Sequence, residues 1–181
     1  MQFVHVDSFS DYSKDLELVT CKTKELSDCP LYIYAHSMGG AVSVFYLADH
    51  HDIQKTILTA PMFLPDAGMP TIIARLLLFF YELILGKSVR FRNSNMSVGW
   101  VRRALKVKRP VMRLAKQITT PVLLLSPQND TVVKSKPQHR FAKKCKTCTI
   151  QTVKGAKHSM LTDTDAIVKA HMKQVTEYYD I

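Results

Sequence analysis

The chain has 181 residues, 46% of them hydrophobic, and a formal net charge of +10. That composition closes a core of single-domain size and excludes a disordered, collagen-like or low-complexity chain. No internal repeat is visible, and a basic start followed by an apolar signal core is missing, so secretion has no support.

The first element expected is a helix over 9–27 with Tyr12, Leu16, Val19 and Leu26 on one face. Pro30 then announces the short apolar, aromatic run Leu31-Tyr32-Ile33-Tyr34, read as a strand over 31–35. Ala35-His36-Ser37-Met38-Gly39-Gly40 follows at the junction with an apolar helix over 39–50, giving a strand, a sharp elbow and a helix. A serine on such a turn is strained and exposed, and small residues at Ala35 and Gly39 let strand and helix approach. The Met38 N–H is placed to donate to an oxyanion forming beside Ser37.

A strand over 55–60 leads into a long stretch, 61–118, with a different character. Between Ala67 and Thr120 it has one acid, Glu82, against eleven bases: Arg75, Lys87, Arg90, Arg92, Arg102, Arg103, Lys106, Lys108, Arg109, Arg113 and Lys116. The apolar run from Ile72 to Leu85 is too short and interrupted to span a bilayer, and suits a lid or an interfacial helix. Its apolar residues would dip among acyl chains while the bases meet anionic headgroups; equally, it would only cover a pocket. Nucleic-acid binding is disfavoured because no stacking pattern accompanies the charge.

Pro121 opens a buried strand over 121–126, and Pro127-Gln128-Asn129-Asp130 is the turn leaving it. A short helix begins near Pro137, a strand covers 148–153, and Lys154-Gly155-Ala156-Lys157-His158 is the loop after it. The last helix covers 163–179 with Val168, Met172, Val175 and Tyr179 on one face, and with Asp163 and Asp165 as its caps. Strands alternating with helices imply a parallel, doubly wound sheet, in which loops at the carboxyl ends of the strands converge.

A serine hydroxyl needs a histidine to take its proton and a carboxylate to orient that histidine. Ser37, Asp130 and His158 fall in the required loops, in chain order Ser, Asp, His. His50 and His51 suit a helix end, His139 and His171 lie inside helices, and His5 has no context. Cys21, Cys29, Cys145 and Cys148 fit no disulfide framework, and the lone C-x2-C reads as reduced thiols.

The chain resembles the serine hydrolase family that contains bacterial lysophospholipase L2 and the monoacylglycerol lipases. The resemblance rests on Asp11-Tyr12-Ser13-Lys14-Asp15-Leu16, Ala35-His36-Ser37-Met38-Gly39-Gly40-Ala41, Thr59-Ala60-Pro61-Met62-Phe63, Asn129-Asp130-Thr131-Val132-Val133 and Gly155-Ala156-Lys157-His158. It implies an α/β-hydrolase fold with about four parallel strands: a first core part over 1–60, a helical lid over 61–118 and a second core part over 119–181. It also implies a catalytic Ser37, Asp130 and His158, the Met38 N–H as oxyanion donor, and His36, Met62 and Phe63 as substrate-binding residues. No metal or organic cofactor is called for. The expected substrate is a lipid-like ester, with an anionic membrane surface as partner, and the expected location is the cytoplasm or the inner face of the membrane.

The resemblance also implies differences. The family's early strands and the loop supplying a second oxyanion donor lie outside this chain, and the lid is shorter, with Asn93-Ser94-Asn95 as the place of a deletion. A fragment, a natural truncation and a decayed frame stay open. So do two other functions: a non-catalytic, basic lipid-binding remnant, and a general carboxylesterase or acyltransferase using the same three residues.

Overall fold

The computed structural model describes residues 6–89 and 96–181. His5, Arg90, Arg92 and the expected deletion at Asn93-Ser94-Asn95 lie outside the described residues.

Among the described residues, four strands form one parallel sheet in the order β1 (Leu31–His36), β2 (Ile53–Thr59), β3 (Val122–Pro127), β4 (Cys148–Val153). The helices are α1 (Phe9–Leu26), α2 (Met38–Asp49), α3 (Thr71–Leu85), α4 (Val98–Ala104), α5 (Lys108–Leu114), α6 (Ser135–Ala142) and α7 (Asp165–Tyr179). Because side chains alternate across a strand, Leu58, Val122 and Leu124 face one core with residues of α2 and α5, while Ile57, Leu123 and Leu125 face another with α7. Every residue of β3 is buried, as a continuous apolar run in the middle of a parallel sheet requires.

Two helix faces differ from expectation. On α1, Tyr12 and Leu16 pack against the core, but Val19 and Leu26 are exposed and Thr20 is buried instead. The stripe runs from Phe9 through Tyr12 and Leu16 to Thr20, whose hydroxyl reaches Tyr46 Oη at 2.9 Å. On α7, Val175 and Tyr179 are buried as expected, but His171 is buried and Met172 is exposed. His171 Nε2 bonds to the Tyr34 hydroxyl at 2.7 Å, which gives this polar ring a partner inside.

Tyr179 does more than fill space. Its hydroxyl donates to Ile33 O at 2.6 Å and accepts the Ile57 N–H at 3.1 Å, so a side chain ties β1 to β2 from beneath the sheet.

Between β2 and β3 the chain makes α3, α4 and α5. Only Ala74 and Leu78 of α3 are buried, in a small cluster with Leu64, Val98 and Leu105. Apart from Thr71, Arg75 and Glu82, the rest of α3 is apolar and open: Ile72 is 70%, Leu83 71% and Ile84 77% exposed. Among the described residues no helix is long and apolar enough to cross a membrane.

Candidate active site

The site is built at the carboxyl end of the sheet. Ser37 stands between β1 and α2 with φ 52° and ψ −114°, a conformation that disfavours any residue with a Cβ. Three backbone hydrogen bonds hold it there. The Ser37 N–H donates to Thr59 O at 3.0 Å, and Ser37 O accepts from the N–H of Met62 at 2.8 Å and of Gly40 at 3.1 Å. Ala60, at the end of β2, also has a positive φ of 46°, and its N–H donates to Leu125 O at 2.9 Å. Strain at the two neighbouring strand ends is therefore matched by hydrogen bonds running from strand to strand.

The close approach falls at Gly40 rather than at the expected Gly39. A Cβ on Gly40 would lie 2.7 Å from Pro61 Cβ and 3.1 Å from Pro61 Cα, whereas one on Gly39 would meet Ala35 Cβ at an ordinary 3.8 Å. Pro61 is held from the other side by Gln138, whose amide donates to Pro61 O at 3.2 Å and accepts from Ser126 Oγ at 2.6 Å. Gln138 and Ser126 are buried, so this polar pair locks α6 and β3 to the loop beside the elbow.

Asp130 and His158 come to Ser37 from the loops after β3 and β4. His158 Nε2 lies 3.0 Å from Ser37 Oγ, and His158 Nδ1 lies 2.8 Å from Asp130 Oδ2. The other carboxylate oxygen, Oδ1, accepts the N–H groups of Val132 at 2.8 Å and Val133 at 2.9 Å. Both oxygens are thus engaged, and the Asp130 side chain is only 2% exposed. Ser37, His158 and Asp130 form one continuous hydrogen-bonded row. Met38 opens α2, and its N–H belongs to the first turn, where no intrahelical acceptor exists.

The other expected site residues sit differently. His36 is half-buried; its Nδ1 is 3.1 Å from Thr59 Oγ1 and its ring lies against that of His158, with centroids 4.8 Å apart. Burial, and then the neighbouring His158, hold His36 below the ordinary imidazole pKa. The Met62 and Phe63 side chains are in the core, and Phe63 packs on Phe141 with centroids 4.8 Å apart. Met62 also meets the site through its backbone, its N–H donating to Ser37 O at 2.8 Å.

Asp163 was expected to cap the last helix, but Thr164 holds that place and α7 starts at Asp165. Asp163 instead accepts the N–H of Lys157 at 2.7 Å and of Thr164 at 2.8 Å, bracing the loop that carries His158. His50 does end α2, with Nδ1 3.0 Å from Tyr46 O.

Residues 2–93 and 85–165 match the sequence pattern of the serine aminopeptidase S33 family. The chain belongs to that family. The two matched pieces overlap at residues 85–93, from the last residue of α3 onward. Lysophospholipase L2 of Escherichia coli K12 is 26% identical over 230 aligned positions that cover 97% of this chain and 65% of that protein. A monoglyceride lipase homolog of monkeypox virus is 24% identical, covering 94% of this chain and 70% of the viral protein. The chain therefore spans 65% of the length of the lysophospholipase L2 relative. Among solved structures, the monoacylglycerol lipase of Paleococcus ferrophilus superposes with a TM-score of 0.74 at 19% identity, covering 94% of this chain and 74% of that one. A soluble variant of the Saccharomyces cerevisiae monoglyceride lipase gives 0.70 at 21% identity, over 95% and 68% of the two chains. At these identities the structural likeness is one of fold, and the fold is that of the α/β-hydrolases.

Proposed function

We propose that the chain is a serine ester hydrolase acting on lipid-like esters, of the lysophospholipase or monoacylglycerol lipase type. The observation that carries this reading is the row from Ser37 Oγ through His158 to Asp130, at 3.0 and 2.8 Å, with the serine on a strained turn at the start of a helix. His158 takes the Ser37 proton as Oγ attacks the ester carbonyl carbon, and Asp130 stabilises the imidazolium and fixes its orientation. The carbonyl oxygen becomes an oxyanion facing the Met38 N–H. His158 then protonates the departing alcohol, leaving an acyl group on Ser37, and water activated by His158 releases the acid and restores the serine.

The lipid part of the reading rests on α3. Beneath it lies an apolar hollow of about 420 Å³ whose walls include Ala74, Leu77, Leu78 and Tyr81, a size that suits a small ligand or one acyl chain. Asp66, on the same wall, donates its N–H to Val132 O at 2.8 Å, joining the hollow to the loop of Asp130. The outer face of α3 is open and apolar, and would rest on a lipid surface. That face alone also favours a second reading, a lipid-binding module without turnover.

The test is hydrolysis of lysophospholipid and of short p-nitrophenyl esters by the protein and its Ser37→Ala variant. Loss of activity by a factor of about a thousand or more supports the assignment. An unchanged rate overturns it.

A further inference from the structure

Two hollows lie side by side beyond Leu64, and Ser37, Asp130 and His158 are not among their walls. The first, of about 220 Å³, is walled by Leu64, Lys108, Lys134, Lys136, Pro137 and Arg140. The second, of about 280 Å³, shares Leu64 and Lys108 and adds Arg75, Lys106 and Arg109 among its walls. No carboxylate lines either one. Among the described residues, one ion pair reaches these walls, from Lys134 to Asp66 at 3.5 Å.

Cations are gathered here against their own repulsion. Lys134 occupies the N-cap of α6 and Lys136 its first turn, where helix N–H groups already concentrate positive charge, and no side chain caps that end. An acid would be the stabilising choice at such a position, yet the first turn of α6 has none. Lys106 has its pKa held down by burial and then by Arg102 and Arg75. Four cations around one small hollow exceed what a single carboxylate neutralises. They suit a group with multiple charge and several acceptor oxygens, which a guanidinium takes in a fork and ammonium groups as point charges.

We propose that the cleft between α5 and α6 is a binding site for a phosphate group, filled by a free phosphate compound or by the phosphate of a lipid headgroup. The apolar Ile72, on the wall of the second hollow and 70% exposed, lies where the non-phosphate part of a lipid would pass. This inference does not depend on the ester hydrolase reading, because binding is measured and Ser37 is not among the walls.

The experiment compares calorimetric binding of inorganic phosphate with flotation on vesicles of phosphatidylcholine alone or mixed with phosphatidylglycerol. The proteins are the unaltered chain, Ser37→Ala, Lys136→Glu/Arg140→Glu and the gentler Lys136→Gln/Arg140→Gln. A Lys169→Glu/Lys173→Glu control carries the same charge change on α7, across the sheet. Phosphate binding weakened about tenfold or more by the α6 variants, but not by the control, supports the site with a free ligand. Flotation on phosphatidylglycerol vesicles with the same pattern supports it with a headgroup. Binding equal to that of the unaltered chain in Ser37→Ala is expected in either case. The site is overturned if the unaltered chain binds neither probe, if the α6 variants bind as well as it does, or if the control loses as much as they do. Circular dichroism of each variant accompanies the binding data.

Discussion

Asp163 Oδ2 accepts the backbone N–H of Lys157 at 2.7 Å, so a carboxylate downstream of His158 holds the residue just before it. The same side chain takes the Thr164 N–H, and these two bonds keep its pKa below the usual carboxylate range. Asp163→Ala is expected to lower kcat several-fold with little change in KM, and to speed hydrogen exchange in the loop over 155–159. Asp163→Asn, which keeps an acceptor, should restore much of the rate. With a depressed folded pKa, the bracing is complete above the unfolded value of 3.8 and is lost as the pH falls below it. Exchange rates in the loop that ignore the Ala substitution would contradict this role.

Gly40 and Gly39 separate a steric demand from a helical preference. Gly40→Ala drives a methyl to 2.7 Å from Pro61, which Gln138 holds in place, and overpacking of this kind costs about 1–3 kcal/mol. The gain of roughly 0.5–1 kcal/mol from placing Ala in a helix offsets only part of that. Gly39→Ala meets nothing closer than 3.8 Å and keeps the helical gain. Denaturant midpoints should therefore fall for Gly40→Ala and hold or rise for Gly39→Ala.

Tyr179→Phe tests the bridge beneath β1 and β2. Losing the hydroxyl leaves the Ile33 carbonyl and the Ile57 N–H without that partner in a buried place, a loss of about 1–3 kcal/mol. Chemical denaturation should show a decrease of that size. A change under a few tenths of a kcal/mol would mean that water or backbone shifts satisfy both groups.

His36 and His171 both have lowered pKa values. Burial is the first cause for each; His158 adds to it for His36, and His36 for His171. The unfolded chain therefore takes up protons near pH 6.5 that the folded chain refuses, so stability from these two groups is complete above that pH and falls as the pH drops below it. Urea midpoints measured between pH 8 and 5 should fall on acidification, and less steeply in His36→Asn.

Periodicity and turn residues carried much of this architecture in plain view. The strand over 148–153 has the bounds read from its alternation, and the loops of Ser37, Asp130 and His158 meet as a parallel sheet requires. Other features depend on partners distant in sequence. Thr20 replaces Val19 on the inner face of α1 because Tyr46 waits for its hydroxyl, and His171 replaces Met172 because Tyr34 does. Gln138 looks like any polar helix residue until Ser126 and Pro61 are brought beside it. Phe63 follows a family motif yet packs on Phe141. An aspartate just before a helix reads as a cap, and only the folded loop shows that Asp163 reaches back to Lys157. A charge count makes the middle of the chain basic, but cannot show that Lys108 on α5 and Lys136 on α6 share one hollow.

The central claim is that Ser37 is activated by His158, and covalent labelling with a fluorophosphonate probe tests it most directly. The chain should be labelled on Ser37, and both Ser37→Ala and His158→Ala should lose the label while keeping their circular dichroism. Labelling that survives Ser37→Ala, or a folded but unlabelled parent chain, would contradict the account.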